Sequence, residues 1–384
     1  MIFRRSSSEG GGFAEAPKAP WADALQPRSN DGSGGGGKKA GPGTGTGTRR
    51  LPQCIAHRGF KARWPENSMG GFAAAAEAGA HALETDLHLS RDGVIVLSHD
   101  PNLKRCFGVD RKIADCEWEY LSGLESLREP REKLPRLEDL LVWLNGDARL
   151  HIWLLLDIKR DDDAKALVGA LVKVLDDIKG VRPWEQRLIL ACWNATYLRA
   201  CQRLLPAYPL AHTSFFLPYA GHFLPRVPGL GFNLFYRSLH GPLGAYFLRR
   251  AAAEGRRVFA WTVNDEEWME WCVRKNLPLA RGSPAGEGKG GTSYDRAGVL
   301  IDGVVTDDPA LFLEVCERIE DEDEDEDEDG KVAPADGVRG GGGMKKKKSG
   351  GAVEWVKRAV VSVAINMMAT TFFIFLFLRR NLDI

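Results

Sequence analysis

Ile55 to Ser68 reads IAHRGFKARWPENS. A short apolar run ends there on His57-Arg58-Gly59, and Pro65-Glu66-Asn67-Ser68 leads into a helical pattern, SMGGFAAAAEAG, and a second apolar run, HALETDLHLS. The same order recurs down the chain. Further candidate strands are GVIVLSHD, LHIWLLLDIK, RLILACW, LAHTSFF, GFNLFYRS, RRVFAWTVN and IDGVVTDD. Helix-length patterns among them are RLEDLLVWLN, DAKALVGALVKVLDDI, PLGAYFLRRAAAEG, DEEWMEWCVRK and DPALFLEVCERI. Strand then helix, repeated, calls for a parallel sheet, and the roughly 265 residues of 51–316 suit a (β/α)8 barrel. The expected fold is one TIM-type α/β barrel rather than two domains.

Composition changes on both sides of that region. Residues 1–50 are mostly Gly, Ser, Thr, Pro, Lys and Arg and should be disordered, and MIFRRSSSEGGG lacks the apolar stretch of a secretory signal. Gly282 to Gly298, GSPAGEGKGGTSYDRAG, is too rich in Gly to pack and reads as a surface insertion. The acidic run Glu320 to Asp329 and the basic run Lys345 to Lys348 make 317–352 a flexible charged linker. Within 353–384, Ala359 to Leu378 has no charged residue over 20 positions. A helix of that length spans ~30 Å, so a C-terminal transmembrane helix acting as a tail anchor is expected. Its N-terminal flank (Lys345 to Lys348, Lys357, Arg358) outweighs Arg379 and Arg380, which places the barrel on the cytosolic side. Mitochondrial outer membrane, endoplasmic reticulum and lipid droplet all suit such a tail.

Lys plus Arg equals Asp plus Glu at 52 each, so no global charge recruits nucleic acid, and nothing implies a protein partner. Seven cysteines without a CxxC pair, in a chain without a secretory signal, read as reduced thiols.

The polar residues gather at strand ends. His57 and Arg58 end the first strand, and Glu84 and Asp86 share one face of the second, because strand side chains alternate. His99 and Asp100 end VIVLSHD, Asp157 and Lys159 share a face of LLLDIK, and Trp261 and Asn264 end a late strand. A barrel brings such ends to one mouth. Three carboxylates, two imidazoles and two fixed cations there suit metal-assisted phosphoryl transfer: carboxylates for a hard cation such as Mg2+ or Ca2+, cations for phosphoryl oxygens, imidazoles for protons.

In order, HRG, PENS, LETDLHLSRDGVIVLSHD and WTVN make the chain resemble the glycerophosphodiester phosphodiesterase family over about 54–316. The resemblance implies a TIM-type barrel, a divalent metal and cleavage of glycerol phosphodiesters. It casts His57 and His99 as the acid/base pair, Glu84, Asp86 and Asp157 as metal ligands, and Arg58 and Lys159 as phosphate contacts. Glu66 and Trp261 would support the site. The chain departs from the family at Asp157-Ile158-Lys159, where E-x-K is commoner and a water bridge could make up the shorter reach.

HRGFKARWPENS joined to a C-terminal membrane helix looks most like the fungal phosphatidylglycerol-specific phospholipase C branch. That implies cleavage of phosphatidylglycerol to diacylglycerol and glycerol phosphate. Hydrolysis of lysophospholipids or soluble glycerophosphodiesters, and a catalytically inactive tail-anchored tether, are the alternatives.

Overall fold

The computed structural model describes residues 50–276 and 298–328. The expected low-complexity start, the glycine-rich insertion, the linker beyond 328 and the anchor helix lie outside the described residues. Among the described residues no helix is long and apolar enough to cross a membrane.

Nine strands follow in chain order: β1 (Gln53–His57), β2 (Ala82–Leu89), β3 (Ile95–Leu97), β4 (Trp153–Ile158), β5 (Leu188–Cys192), β6 (Leu210–Ser214), β7 (Gly231–Phe235), β8 (Val258–Trp261) and β9 (Gly303–Thr306). All but β3 are parallel and close into a TIM barrel, with β1 hydrogen-bonded to both β2 and β9. All nine expected strands form, but β3 runs antiparallel to β2 outside the ring. The five residues Ser90–Val94 are too few for a crossover, since a parallel connection needs about a dozen, so this pair can only be a hairpin.

Alternate strand residues fill the barrel: Ile55, Ala82, Trp153, Leu155, Ile189, Ala191, Ala211, Phe259 and Val305 form one inner cluster. Their neighbours, such as Ala56, Leu83, Leu154 and Leu156, face the helices in the larger outer core. The first turn depends on Gly59, at φ +84°, where a Cβ would lie 2.7 Å from the Gly71 carbonyl carbon. That close approach seats β1 against the helix Met69–Glu77, whose cap Ser68 accepts from the Gly71 amide at 3.1 Å. Between β3 and the helix Leu137–Leu144 the chain builds a small satellite around Leu103, Ile113, Cys116, Leu121 and Leu134. The closing helix, Pro309–Glu328, runs past the expected boundary at 316. Ile319 is buried there, and Arg318 meets Glu266 and Glu270 at 2.7 Å, so 317–328 is helix rather than linker.

His212 on β6 is fully buried; its Nδ1 bonds the Cys192 carbonyl at 3.0 Å and its Nε2 has no partner among the described residues. Burial lowers its pKa from 6.5 to about 4, although the Cys192 carbonyl opposes the shift. The folded value lies below the unfolded one, so this ring's contribution is complete above pH 6.5 and is lost as pH falls towards 4. The gap from 6.5 to about 4 is worth about 3 kcal/mol. Denaturant titrations of His212→Leu between pH 7 and 4 should show a stability curve flatter than wild type by about that amount. Parallel curves would assign acid loss to other groups.

Candidate active site

One cavity of about 110 Å³ at the C-terminal ends of the strands is lined by His57, Arg58, Glu84, Asp86, His99, Asp157, Lys159 and Trp261. Of the site residues expected from sequence, only Glu66 is not among those lining it.

Glu84, Asp86 and Asp157 are all buried and offer carboxylate oxygens within 4.8 Å of one another. Asp157 thus joins the set despite its shorter side chain. Lys159 Nζ sits between Asp86 Oδ1 at 2.6 Å and Asp157 Oδ2 at 2.7 Å, and Arg58 Nε lies 3.2 Å from Asp86 Oδ2. Burial would raise Asp86, but Lys159 and Arg58 outweigh it and hold the carboxyl well below its usual range. Glu84 goes the other way: burial, then the charges of Asp86 and Asp157, push it well above the usual range. Two cations therefore leave the three acids short of positive charge. An all-oxygen, under-neutralised triad fits a hard divalent cation.

Each imidazole is held by a carboxylate. His57 Nδ1 lies 2.5 Å from Asp307 Oδ1, whose other oxygen accepts from Lys61 Nζ at 2.9 Å and Asn264 Nδ2 at 3.0 Å. His99 Nδ1 lies 2.7 Å from Asp100 Oδ1. With Nδ1–H donated in this way, Nε2 is the free base on both rings. Burial lowers the pKa of both; Asp307 opposes this at His57, and Asp86 opposes it at His99. Burial would also raise Asp307, but the His57 bond and charge and Lys61 hold it well below its usual range.

Glu66 binds cations instead of lining the cavity. It accepts from Arg58 at 3.0 Å and from both terminal nitrogens of Arg105 at 2.8 and 2.7 Å, while Arg105 Nε reaches Asp100 Oδ2 at 2.7 Å. Arg58 itself has φ +56°, a left-handed conformation uncommon outside glycine. The turn holds it there: its amide donates to the Glu84 carbonyl and Oε2, both at 3.0 Å. Asn67, at φ +53°, donates to Asp86 Oδ2 at 2.9 Å and accepts from Thr85 Oγ1 at 2.7 Å, which fixes that acid's orientation.

Sequence reasoning missed Asp307, Asn67, Arg105, Trp193, Thr213 and Asn233. Asp307 follows the last strand in IDGVVTDD, a strand-end acid of the kind already counted elsewhere. Trp193 directly follows β5 and donates to Asp157 Oδ1 at 2.9 Å. It starts an aromatic arc with Phe215 at 6.5 Å and Trp261 at 5.5 Å, and Phe235 continues it 5.6 Å from Trp261. Charge on the β1, β2 and β4 side therefore faces aromatic carbon on the β5 to β8 side.

Residues 57–311 match the glycerophosphoryl diester phosphodiesterase family. A glycerophosphodiester phosphodiesterase of Caldanaerobacter subterraneus subsp. tengcongensis is 25% identical over 275 residues, 69% of this chain and 97% of the relative. A lysophospholipase D of Homo sapiens is 41% identical over 70 residues, 18% of this chain and 22% of that protein. An Oleispira antarctica phosphodiesterase, solved with the product sn-glycerol-3-phosphate, shares the fold at a TM-score of 0.55 and 22% identity. That match covers 70% of this chain and 97% of the other. Enzymes of the matched family use divalent metals, for which the buried triad is a fitting set. On this match the chain belongs to the glycerophosphoryl diester phosphodiesterase family and is a phosphoric diester hydrolase.

Proposed function

We propose that this hydrolase is a phospholipase C acting on phosphatidylglycerol, anchored by its C-terminal segment to a membrane with the barrel on the cytosolic face. The observation that carries the reading is a buried three-acid set and two carboxylate-held imidazoles in a cavity whose other wall includes Trp193 and Trp261. The apolar run of 359–378 with its basic flanks supports a lipid substrate.

Phosphatidylglycerol has a free hydroxyl on the carbon beside its headgroup ester. That hydroxyl attacks phosphorus, the bond to the diacylglycerol oxygen breaks, and water then opens the cyclic glycerol phosphate. His57 and His99 are the acid/base pair: one Nε2 takes the proton of the attacking hydroxyl while the other protonates the departing oxygen, and the roles reverse for water. Arg58 and Lys159 hold the phosphoryl oxygens, and Glu66 keeps Arg58 in place. Glu84, Asp86 and Asp157 would hold Mg2+ or Ca2+, which supplies Lewis-acid charge to the phosphoryl group. Trp261, pinned by its Nε1 to the Asn233 carbonyl at 2.9 Å, walls the cavity. A second reading, hydrolysis of lysophospholipids or soluble glycerophosphodiesters, is favoured by the 41% identity over 70 residues with a lysophospholipase D.

Given Mg2+ or Ca2+, the full-length protein should release diacylglycerol from phosphatidylglycerol and not from phosphatidylcholine, read by lipid chromatography and phosphorus NMR. Turnover of a lysolipid or soluble diester alone would install the second reading. His57→Ala and His99→Ala should each lower kcat by roughly 10²–10⁴ with unchanged circular dichroism, and near-wild-type turnover would remove the acid/base assignment. Chelation should abolish activity and either cation should restore it, whereas activity indifferent to the chelator would rule out a metal role for the triad. Deleting 353–384 should move the protein from the membrane pellet to the soluble fraction, and persistence in the pellet would point to another binding surface.

A further inference from the structure

Two polar side chains inside the barrel have no part in that scheme. Thr213 on β6 and Asn233 on β7 are register partners, so they stand side by side facing the same way. Both are buried, at 2% and 4% exposure, and both line the cavity that holds the histidines and the three acids. Thr213 Oγ1 and Asn233 Oδ1 have no hydrogen-bond partner among the described residues. Other strands fill their inner positions with Ala191, Phe259 and Val305, so this barrel has apolar solutions for such places.

A buried hydroxyl or carboxamide without a partner carries the full desolvation cost of that group, and native proteins leave few of them. Two on adjacent strands, both at the cavity of the reacting groups, point to a ligand that completes their bonds. Asn233 Oδ1 can only accept, so the matching group must carry a donor, which an ionised phosphoryl oxygen lacks. Beside a hydroxyl and a carboxamide it has to donate and accept, which describes an alcohol. Arg58 and Lys159 mark the phosphoryl position, which leaves the alcohol portion of the diester for this wall.

We propose that Thr213 and Asn233 form a subsite for the outer, non-attacking hydroxyl of a glycerol headgroup, and so select glycerol diesters over those of shorter diols. The subsite rests on hydrolysis of a glycerol diester and deepens the headgroup side of the reading above. Its discriminating power comes from the penalty of emptiness: a substrate without the outer hydroxyl leaves both side chains unpaired, a stronger rejection than an apolar pocket achieves for one missing carbon.

The test compares kcat/KM of the full-length protein on phosphatidylglycerol and on its ethylene glycol counterpart, which keeps the attacking hydroxyl and lacks the outer one. Wild type should favour the glycerol diester by at least about tenfold, and Thr213→Val or Asn233→Leu should bring the ratio towards one. No preference in wild type, an unchanged ratio in the variants, or equal loss on both substrates would overturn the subsite. If phosphatidylglycerol itself is not turned over, glycerophosphocholine and its ethylene glycol counterpart, whose choline side has no free hydroxyl, carry the same ratio, so failure of the lipid reading and failure of the subsite are separate outcomes. Calorimetric titration with sn-glycerol 3-phosphate and with 2-hydroxyethyl phosphate needs no turnover. Thr213→Val should weaken the first by about tenfold and the second little, and equal weakening would overturn the proposal. Because valine keeps the shape and removes an unpaired hydroxyl, the melting temperature should hold or rise. A clear fall would make Thr213 a structural group instead.

Discussion

Glu84, Asp86 and Asp157 repel one another across distances of at most 4.8 Å in a cavity largely shielded from water. At an effective dielectric near 20, two unit charges about 4 Å apart interact by about 4 kcal/mol, so three ionised acids cannot share this space without cations. Two lie within the fold. Lys159 bridges Asp86 and Asp157, and burial first, then the charges of those two acids, pushes the Glu84 carboxyl towards its neutral form. Arg58 reaches Asp86 from a turn after β1 that takes a left-handed step, and Gly59 lets that turn pack against Gly71. The left-handed step at Arg58 thus coincides with a cation placed beside the acids.

The barrel provides the rest of the geometry. Side chains at the C-terminal ends of parallel strands converge whatever their separation in sequence, and closure between β1 and β9 brings Asp307 to His57 across 250 positions. Lys61 and Asn264 then fix the second oxygen of Asp307, from the β1 turn and the end of β8 respectively. The orientation of His57 thus depends on three strand ends that meet only in the finished ring, and the acid that orients it stays ionised because those same groups surround it.

This explains what was legible in the sequence. Strand and helix periodicities, repeated in order, are local signals, and they announced the barrel and all nine strands. The acids and bases at the ends of β1, β2 and β4 stood out because two ionisable groups at alternate positions of an apolar strand have few structural uses. Asp307 was not legible, because its role exists only after β9 meets β1. The helix Ala195–Leu204 escaped because its composition is polar on average, although Tyr197, Leu198 and Cys201 form a buried stripe and Asn194 caps it by accepting from the Thr196 and Tyr197 amides at 2.9 and 3.3 Å. Thr213 and Asn233 were hidden for another reason: one polar residue in LAHTSFF or GFNLFYRS reads equally as facing in or out until the register is known.

The satellite between β3 and Leu137–Leu144 changes what counts as the site. His99 and Asp100 belong to it and not to a barrel strand, so one of the two imidazoles is carried by a body with its own small core. Among the bonds that tie that body to the barrel, those of Arg105 reach the charge cluster of the cavity. Arg105 holds Asp100 with its Nε and Glu66 with its two terminal nitrogens, and each of those acids orients a cavity residue, His99 in one case and Arg58 in the other. Burial would raise Glu66, yet the Arg105 bond and the Arg58 charge keep it below its usual range; the Arg105 bond likewise brings Asp100 down to about 2. Both acids therefore stay ionised at neutral pH, and the fork between them cannot loosen by protonation. Because Arg105 is half exposed, screening by water keeps each of these ion pairs individually modest. Its importance is geometric: a segment outside the barrel ring that carries an imidazole into the cavity is held by a planar, multiply bonded tether, which guanidinium supplies and ammonium does not.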